Sequence, residues 1–180
     1  MAHPATSGTS YTVLATLVQA RGKTKAIEYF KALNKNLAHY TKSGTTPPLE
    51  VAKGEGAIAI TFSHDGLKPA ADGSPIELSF PKEGTGFEVG CVALIKGGPD
   101  KETQAAKRFI DWSISKRGQE LFEKSRSFRL PVNRQAEPPR GAIKVSNMRL
   151  IAYDAVWAGE NRATLAELFT KEVSASDNLK

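Results

Sequence analysis

The sequence predicts an α/β fold, and three observations carry that prediction. Apolar residues recur at helical spacing near both ends of the chain, short and nearly continuous apolar runs occupy residues 57–62, 76–80 and 87–95, and turn-forming residues separate the two kinds of segment. Long stripes of period 3.6 beside short apolar runs are what helices packed on a largely buried sheet require. With 180 residues, 40% of them hydrophobic, the chain is large enough for one large domain or two small ones.

The first element grows out of Pro4-Ala5-Thr6-Ser7-Gly8-Thr9-Ser10-Tyr11, a run of small hydroxylated residues that opens into Leu14, Leu17 and Val18 at helical spacing and stops near Gly22. Thr6 or Ser7 is the expected N-cap. The first N–H groups of a helix lack intrahelical partners and sit at the positive end of the dipole, so such a turn can hold an anion; equally, it can be only a cap. A second helix is expected over residues 25–34, behind Thr24 as cap, with Ala26, Ile27, Phe30 and Leu33 on one face. Thr41-Lys42-Ser43-Gly44-Thr45-Thr46-Pro47-Pro48 then repeats the opening pattern before a short helix over 49–53, proline being well placed in a first turn. Lys42 would add charge beside it.

The runs at 57–62, 76–80 and 87–95 are expected as strands. Cys91, the single cysteine, should pack within the last of them, and it excludes an internal disulfide and a cysteine-based metal cluster. His64 and Asp65 leave the first strand at its carboxyl end, where open α/β sheets bind ligands; they either contact a ligand or simply enter the turn at Gly66. Glu88 begins the third strand and is either a ligand contact or a solvated carboxylate. Asp100 should cap a helix reaching Ser115, a short helix should follow over 117–124, and residues 129–132 and 137–140 should be extended connectors. From 148 to 173 a helical pattern is interrupted near Gly159, and 174–180 should fray.

The formal charge of +6 suits an anionic partner, but the basic residues are scattered, which argues against nucleic acid. No run approaches the about 20 apolar residues of a membrane-spanning helix, and no basic and apolar leader follows Met1. No cofactor and no metal site is expected.

Several motifs occur in order: the opening turn from Ala2 to Thr12, Tyr40-Thr41-Lys42-Ser43-Gly44, Phe62-Ser63-His64-Asp65, Pro81-Lys82-Glu83-Gly84-Thr85-Gly86-Phe87-Glu88, and Phe128-Arg129-Leu130-Pro131-Val132-Asn133. Together they resemble the extracellular solute-binding proteins of ABC transporters, in the branch of ferric-iron, 2-aminoethylphosphonate and sugar-phosphate binders. The resemblance runs over residues 1–173. It implies the second lobe of a type II periplasmic-binding fold plus the returning C-terminal part of the first lobe, with residues 1–86 as the solute-binding lobe and 87–180 as the return strand and C-terminal helices. It implies that Thr6, Ser7, Gly8 and Thr9 cradle the anion, that Ser43 and Gly44 form a second cleft loop, and that His64, Asp65 and Glu88 read hydroxyl or amine groups at the other end of the solute. It also implies an ABC permease as partner and a periplasmic or extracellular location.

His64 and Asp65 stand where ferric binders of the family carry paired tyrosines. Fe(III) prefers hard anionic oxygen ligands, so the pair favours an organic phosphate or phosphonate over iron. The rival readings are a ferric-iron carrier, a remnant that binds nothing, and an enzyme acting on phosphate esters, the last without any nucleophile elbow or P-loop to support it. Family members are nearly twice as long, and the resemblance places Met1 where the first lobe would cross into the second. If the run at 87–95 then lacks sheet neighbours, each large side chain left exposed forgoes about 1.5–3 kcal/mol, and the chain should pair with a second copy or with the missing lobe. Light scattering at micromolar concentration should then show a dimer or larger species that Leu94→Lys weakens. A monodisperse monomer with slow amide exchange across 89–95 would contradict it.

Overall fold

A computed structural model describes residues 1–175, and within it the chain forms two compact units: Met1–Glu88 together with the segment from Met148 onward, and Val89–Asn147. The C-terminal helices, expected with residues 87–147, therefore have their packing partners in the first unit. The physical reason lies in their apolar stripe, which residues of the first two helices cover.

In the first unit α1 spans Gly8–Arg21, capped by Ser7, whose hydroxyl accepts from the Ser10 N–H. Gly22 closes α1 with φ 81, a left-handed value that glycine reaches without a Cβ penalty, and the same residue leads into α2, Lys23–Asn34. Its N–H donates to the Val18 carbonyl at 2.9 Å and its carbonyl accepts from the Ala26 N–H at 3.1 Å. Thr24 is thus an interior residue of α2, and Gly22 displaces it as the cap. Two short helices follow, α3 at Thr46–Ala52 with proline in its first turn and α4 at Ser63–Ala71.

Residues 57–62, 76–80 and 87–95 do not form the expected strands. Among the described residues, strand-type pairing amounts to two isolated parallel bridges, Ala2 with Thr41 and Thr85 with Leu150. A helix closes its hydrogen bonds within one segment, whereas a strand needs a neighbour, so an apolar run encodes the wish for burial without supplying the partner. Ile58 and Ile95 are correspondingly about as exposed as side chains become, at 86% and 85%. Cys91 is also exposed, and not packed in a sheet.

The C-terminal segment carries α8, Ala155–Glu160, capped by Asp154 through the N–H groups of Val156 and Trp157, then α9, Arg162–Phe169, and a π-helical turn, Thr170–Ser174. The break falls at Asn161, near the expected place. Leu165, Phe169 and Val173 join Leu14, Ala15, Val18, Ala26, Ile27 and Phe30 in the core. Phe169 is fully buried and meets the rings of Phe30, His3 and Tyr40 edge-on, with centroids 5.2, 5.4 and 5.9 Å away. The Tyr11 hydroxyl donates to the Ala158 carbonyl, and the Arg162 guanidinium lies over the Tyr11 ring. Ser174, expected to fray, is buried; the rest of that expectation, from residue 176 on, lies outside the described residues.

In the second unit α5 spans Asp100–Ser113, with Asp100 as its first residue and Pro99 before it, so Asp100 complements the positive end of the helix dipole instead of capping. The expected helix over 117–124 is two: α6, Lys116–Gln119, capped by Ser115, and α7, Leu121–Lys124. Phe109, Trp112 and Ile114 are exposed.

The ring cluster should dominate the stability of the first unit. Phe169→Ala is expected to cost about 3–5 kcal/mol in denaturant unfolding, whereas Val156→Ala, at a 70% exposed position, should stay within about 0.5 kcal/mol of the parent.

Candidate functional site

The opening turn is built on His3. The His3 carbonyl accepts from the N–H groups of Thr6 and Ser7, at 3.1 and 3.0 Å, and folds the chain back so that Ser7 can cap α1. The Thr6 hydroxyl points to two backbone carbonyls, those of His3 at 3.2 Å and Lys42 at 3.0 Å. The Ser7 hydroxyl accepts from the Ser10 N–H at 3.4 Å. Both side chains are thereby committed to the turn itself. Gly8 and Thr9 occupy the first two positions of α1, where the helix offers their N–H groups no acceptor, and the space beside Gly8 is open.

The second hydroxyl-rich turn lies against the first. The His3 N–H donates to the Thr41 carbonyl at 2.9 Å and the Thr41 N–H to the Met1 carbonyl at 3.2 Å. These two bonds place residues 42–45 beside α1. A Cβ at Gly44 would fall 2.3 Å from Thr9 Oγ1 and 3.0 Å from Ser7 Oγ, so glycine is what allows the two turns to touch. Ser43 Oγ and Thr45 Oγ1 are 2.8 Å apart, and the Thr45 N–H donates to Ser43 Oγ at 3.3 Å.

Thr61 links a third segment to this pair, its hydroxyl donating to the Gly44 carbonyl at 2.8 Å. Three residues on, His64 and Asp65 sit in the first turn of α4 and not in the turn expected after a strand, because Phe62 already begins the helical bonding by accepting from the Asp65 N–H. The His64 ring stacks on Phe62 with centroids 5.4 Å apart, and His64 Nε2 lies 3.7 Å from Asp65 Oδ1. Both side chains are largely buried, at 19% and 11% exposure, and the position of Asp65 suits a negative charge.

Glu88 is exposed. Burial pushes the Tyr153 phenol above its usual range, the Glu88 carboxylate adds to that, and the Thr12 side chain pulls the other way. Thr12 lies one turn into α1, the helix that carries the opening turn. The structure thus brings Thr6, Ser7, Gly8, Thr9, Ser43 and Gly44 together and attaches His64 and Asp65 through Thr61, while Glu88 stays exposed and joins them through no direct contact.

Thr12, Thr45, Thr61 and Tyr153 are contributors that sequence reasoning does not single out. Tyr153 reads there as one residue of a helical stripe, and only its proximity to Thr12, more than a hundred positions away, gives it a role. Among the described residues no group of three or more His, Cys, Asp or Glu side chains could hold a metal ion. The assembled groups are neutral donors, hydroxyls and N–H, with one His–Asp pair at the periphery. Such a set can receive a multiply charged anion and orient polar groups attached to it.

Residues 3–147 match the family described as bacterial extracellular solute-binding protein. A Haemophilus influenzae protein described as uncharacterized is 40% identical over 176 residues, which is 96% of this chain and 50% of that protein. Among solved structures, the periplasmic binding protein AfuA from Actinobacillus pleuropneumoniae, with exogenous fructose-6-phosphate bound, is similar at 38% identity and a TM-score of 0.86, over 97% of this chain and 55% of that one. The periplasmic binding protein P5PA is similar at 29% identity and a TM-score of 0.74, over 92% of this chain and 53% of its own. The chain spans about half the length of these proteins.

The contact at Gly44 makes a sharp comparison between two glycines. Gly44→Ala should destabilise the chain by about 1–3 kcal/mol, since its Cβ meets Thr9 at its Cβ as well as its Oγ1, and adding Thr9→Gly should restore part of the loss. Gly8→Ala, entering open space, should change unfolding free energy by no more than about 0.5 kcal/mol.

Proposed function

The chain belongs to the bacterial extracellular solute-binding proteins and has part of their α/β periplasmic-binding fold, and from that premise we propose that it binds a phosphorylated organic anion, a sugar phosphate, for an ABC-type importer. The observation that carries the reading is the meeting of the two hydroxyl-rich turns at Gly44, beside the open first turn of α1. The sugar phosphate is preferred over a phosphonate because the similar protein AfuA was solved with fructose-6-phosphate.

The roles follow from which donors are already used. Thr6 and Ser7 shape the turn, so the N–H groups of Gly8 and Thr9, the Thr9 hydroxyl and the Ser43–Thr45 hydroxyl pair are what remains for phosphate oxygens. Asp65 accepts from sugar hydroxyls while His64 donates to a ring or hydroxyl oxygen, and Glu88 acts on the same end of the solute. A ferric ion is disfavoured by the same pair, which lacks the anionic oxygen donors that Fe(III) selects. The solute is bound and passed on without turnover, the partner is a membrane permease, and the setting is periplasmic or extracellular.

A solute that binds the native state alone stabilises it by RT ln(1 + [L]/Kd), about 2.7 kcal/mol at roughly 100 times Kd. Fructose 6-phosphate should therefore raise the melting temperature at fixed ionic strength while fructose does not. Thr9→Ala should weaken that shift, and Asp65→Ala should change which sugar is preferred more than whether phosphate is accepted. Equal shifts with both compounds would overturn the anion reading, and release of inorganic phosphate during incubation would replace binding with catalysis.

A further inference from the structure

His3 is 3% exposed, and every polar atom it owns is engaged. Its N–H and carbonyl hold the second turn and the first, as described above. On the ring, Nδ1 accepts from the Ala5 N–H at 3.1 Å, so in the neutral imidazole the proton is on Nε2, which donates to Ser174 Oγ at 2.9 Å. Ser174 in turn donates to the Thr170 carbonyl at 3.3 Å, leaving its oxygen free to accept. A relay with one direction therefore runs from the opening turn through His3 into the π-helical turn. The ring is held edge-on to Tyr40 and Phe169.

We propose that His3 is a positioning residue for the anion-binding turn, and that its protonation loosens the turn and weakens anion binding. A proton on Nδ1 would turn the acceptor for Ala5 into a second donor facing the same N–H, in a site where two aromatic rings and an existing donor leave the imidazolium nothing new to bind. The turn would have to give way at Ala5, three residues before Gly8. Burial already holds the His3 imidazole below its usual range. The other titratable groups on the surrounding elements are the Tyr40 phenol, which donates to Asn34 Oδ1, the Met1 ammonium, on which Glu50 acts, and the Lys31–Glu172 pair between α2 and the π-helical turn. Above about pH 6.5 the contribution of His3 is fully present, and it is lost as pH falls from there toward the folded-state value.

The inference rests on the proposed anion site for its binding consequence, and a ligand-free measurement keeps the two separable. In the ligand-free chain, nitrogen NMR should show His3 as the Nε2–H tautomer at pH 8, and amide protection at Ala5, Thr6 and Ser7 should fall as that ring titrates. Sulfate, whose charge is constant across the range, serves as the anion probe. Its affinity should fall by roughly two- to tenfold as that ring goes from neutral to protonated, the effect of one lost hydrogen bond. His3→Asn keeps an acceptor near the Nδ1 position and cannot titrate, so it should flatten the profile. If sulfate binds at no pH, the anion site fails and the tautomer and protection data alone decide the role of His3. An Nδ1–H tautomer, unchanged protection at Ala5 to Ser7 through the titration, or a wild-type pH profile in a folded His3→Asn chain would each overturn the inference.

Discussion

Two backbone hydrogen bonds, from the His3 N–H to Thr41 and from the Thr41 N–H to Met1, hold the candidate site together. They join segments separated by almost forty residues, and each segment leads at once into a hydroxyl-rich turn. Each turn leans on contacts with the other. The first depends on the His3 carbonyl and on the Thr6 hydroxyl reaching the Lys42 carbonyl, and the second depends on Gly44 lying flush against Thr9 and Ser7. Each net hydrogen bond of this kind contributes only about 0.5–1.5 kcal/mol, so the arrangement stands because the bonds are mutually supporting and seated on the packed rings of His3, Tyr40 and Phe169.

Helices were the legible part of this chain. A stripe such as Leu14, Leu17 and Val18 specifies both the conformation and the buried face, and a glycine such as Gly22 marks its end, all within one local segment. The strands were not legible in the same sense. Residues 57–62 and 87–95 announce apolar character correctly, but pairing requires another segment, which no local pattern names. The helix over Ser63–Ala71 was hidden for the converse reason: Gly66 reads as a turn residue, yet the helix runs through it and through Pro69.

The site was half legible. Hydroxyl-rich helix starts can be read directly, since the requirement for cap acceptors and free N–H groups is local. Which hydroxyls are left over for a ligand is not, because Thr6 and Ser7 are spent on carbonyls and an N–H that only the folded chain brings within reach. His3 was equally opaque. Its position before proline reveals nothing of Ser174, which lies 171 residues away and supplies the ring's second partner.

The electrostatic character of the site constrains what it can hold. Lys42, beside the second turn, is exposed, and its charge is screened within about 8–10 Å at ordinary salt. For the anion proposed here, the oriented dipoles of the α1 N-terminus and the hydroxyls are the available source of attraction, and they act without the desolvation cost of a buried ammonium. Asp65 adds a carboxylate at 11% exposure in the segment that Thr61 ties to Gly44, and a carboxylate opposes any second anion unless donors lie between them. A ligand satisfying both must present its charge at one end and hydroxyl or amine donors at the other. Inorganic phosphate meets only the first demand and a neutral sugar only the second. The sugar phosphate proposed above combines them, and for that reason it fits this set of residues better than either part alone.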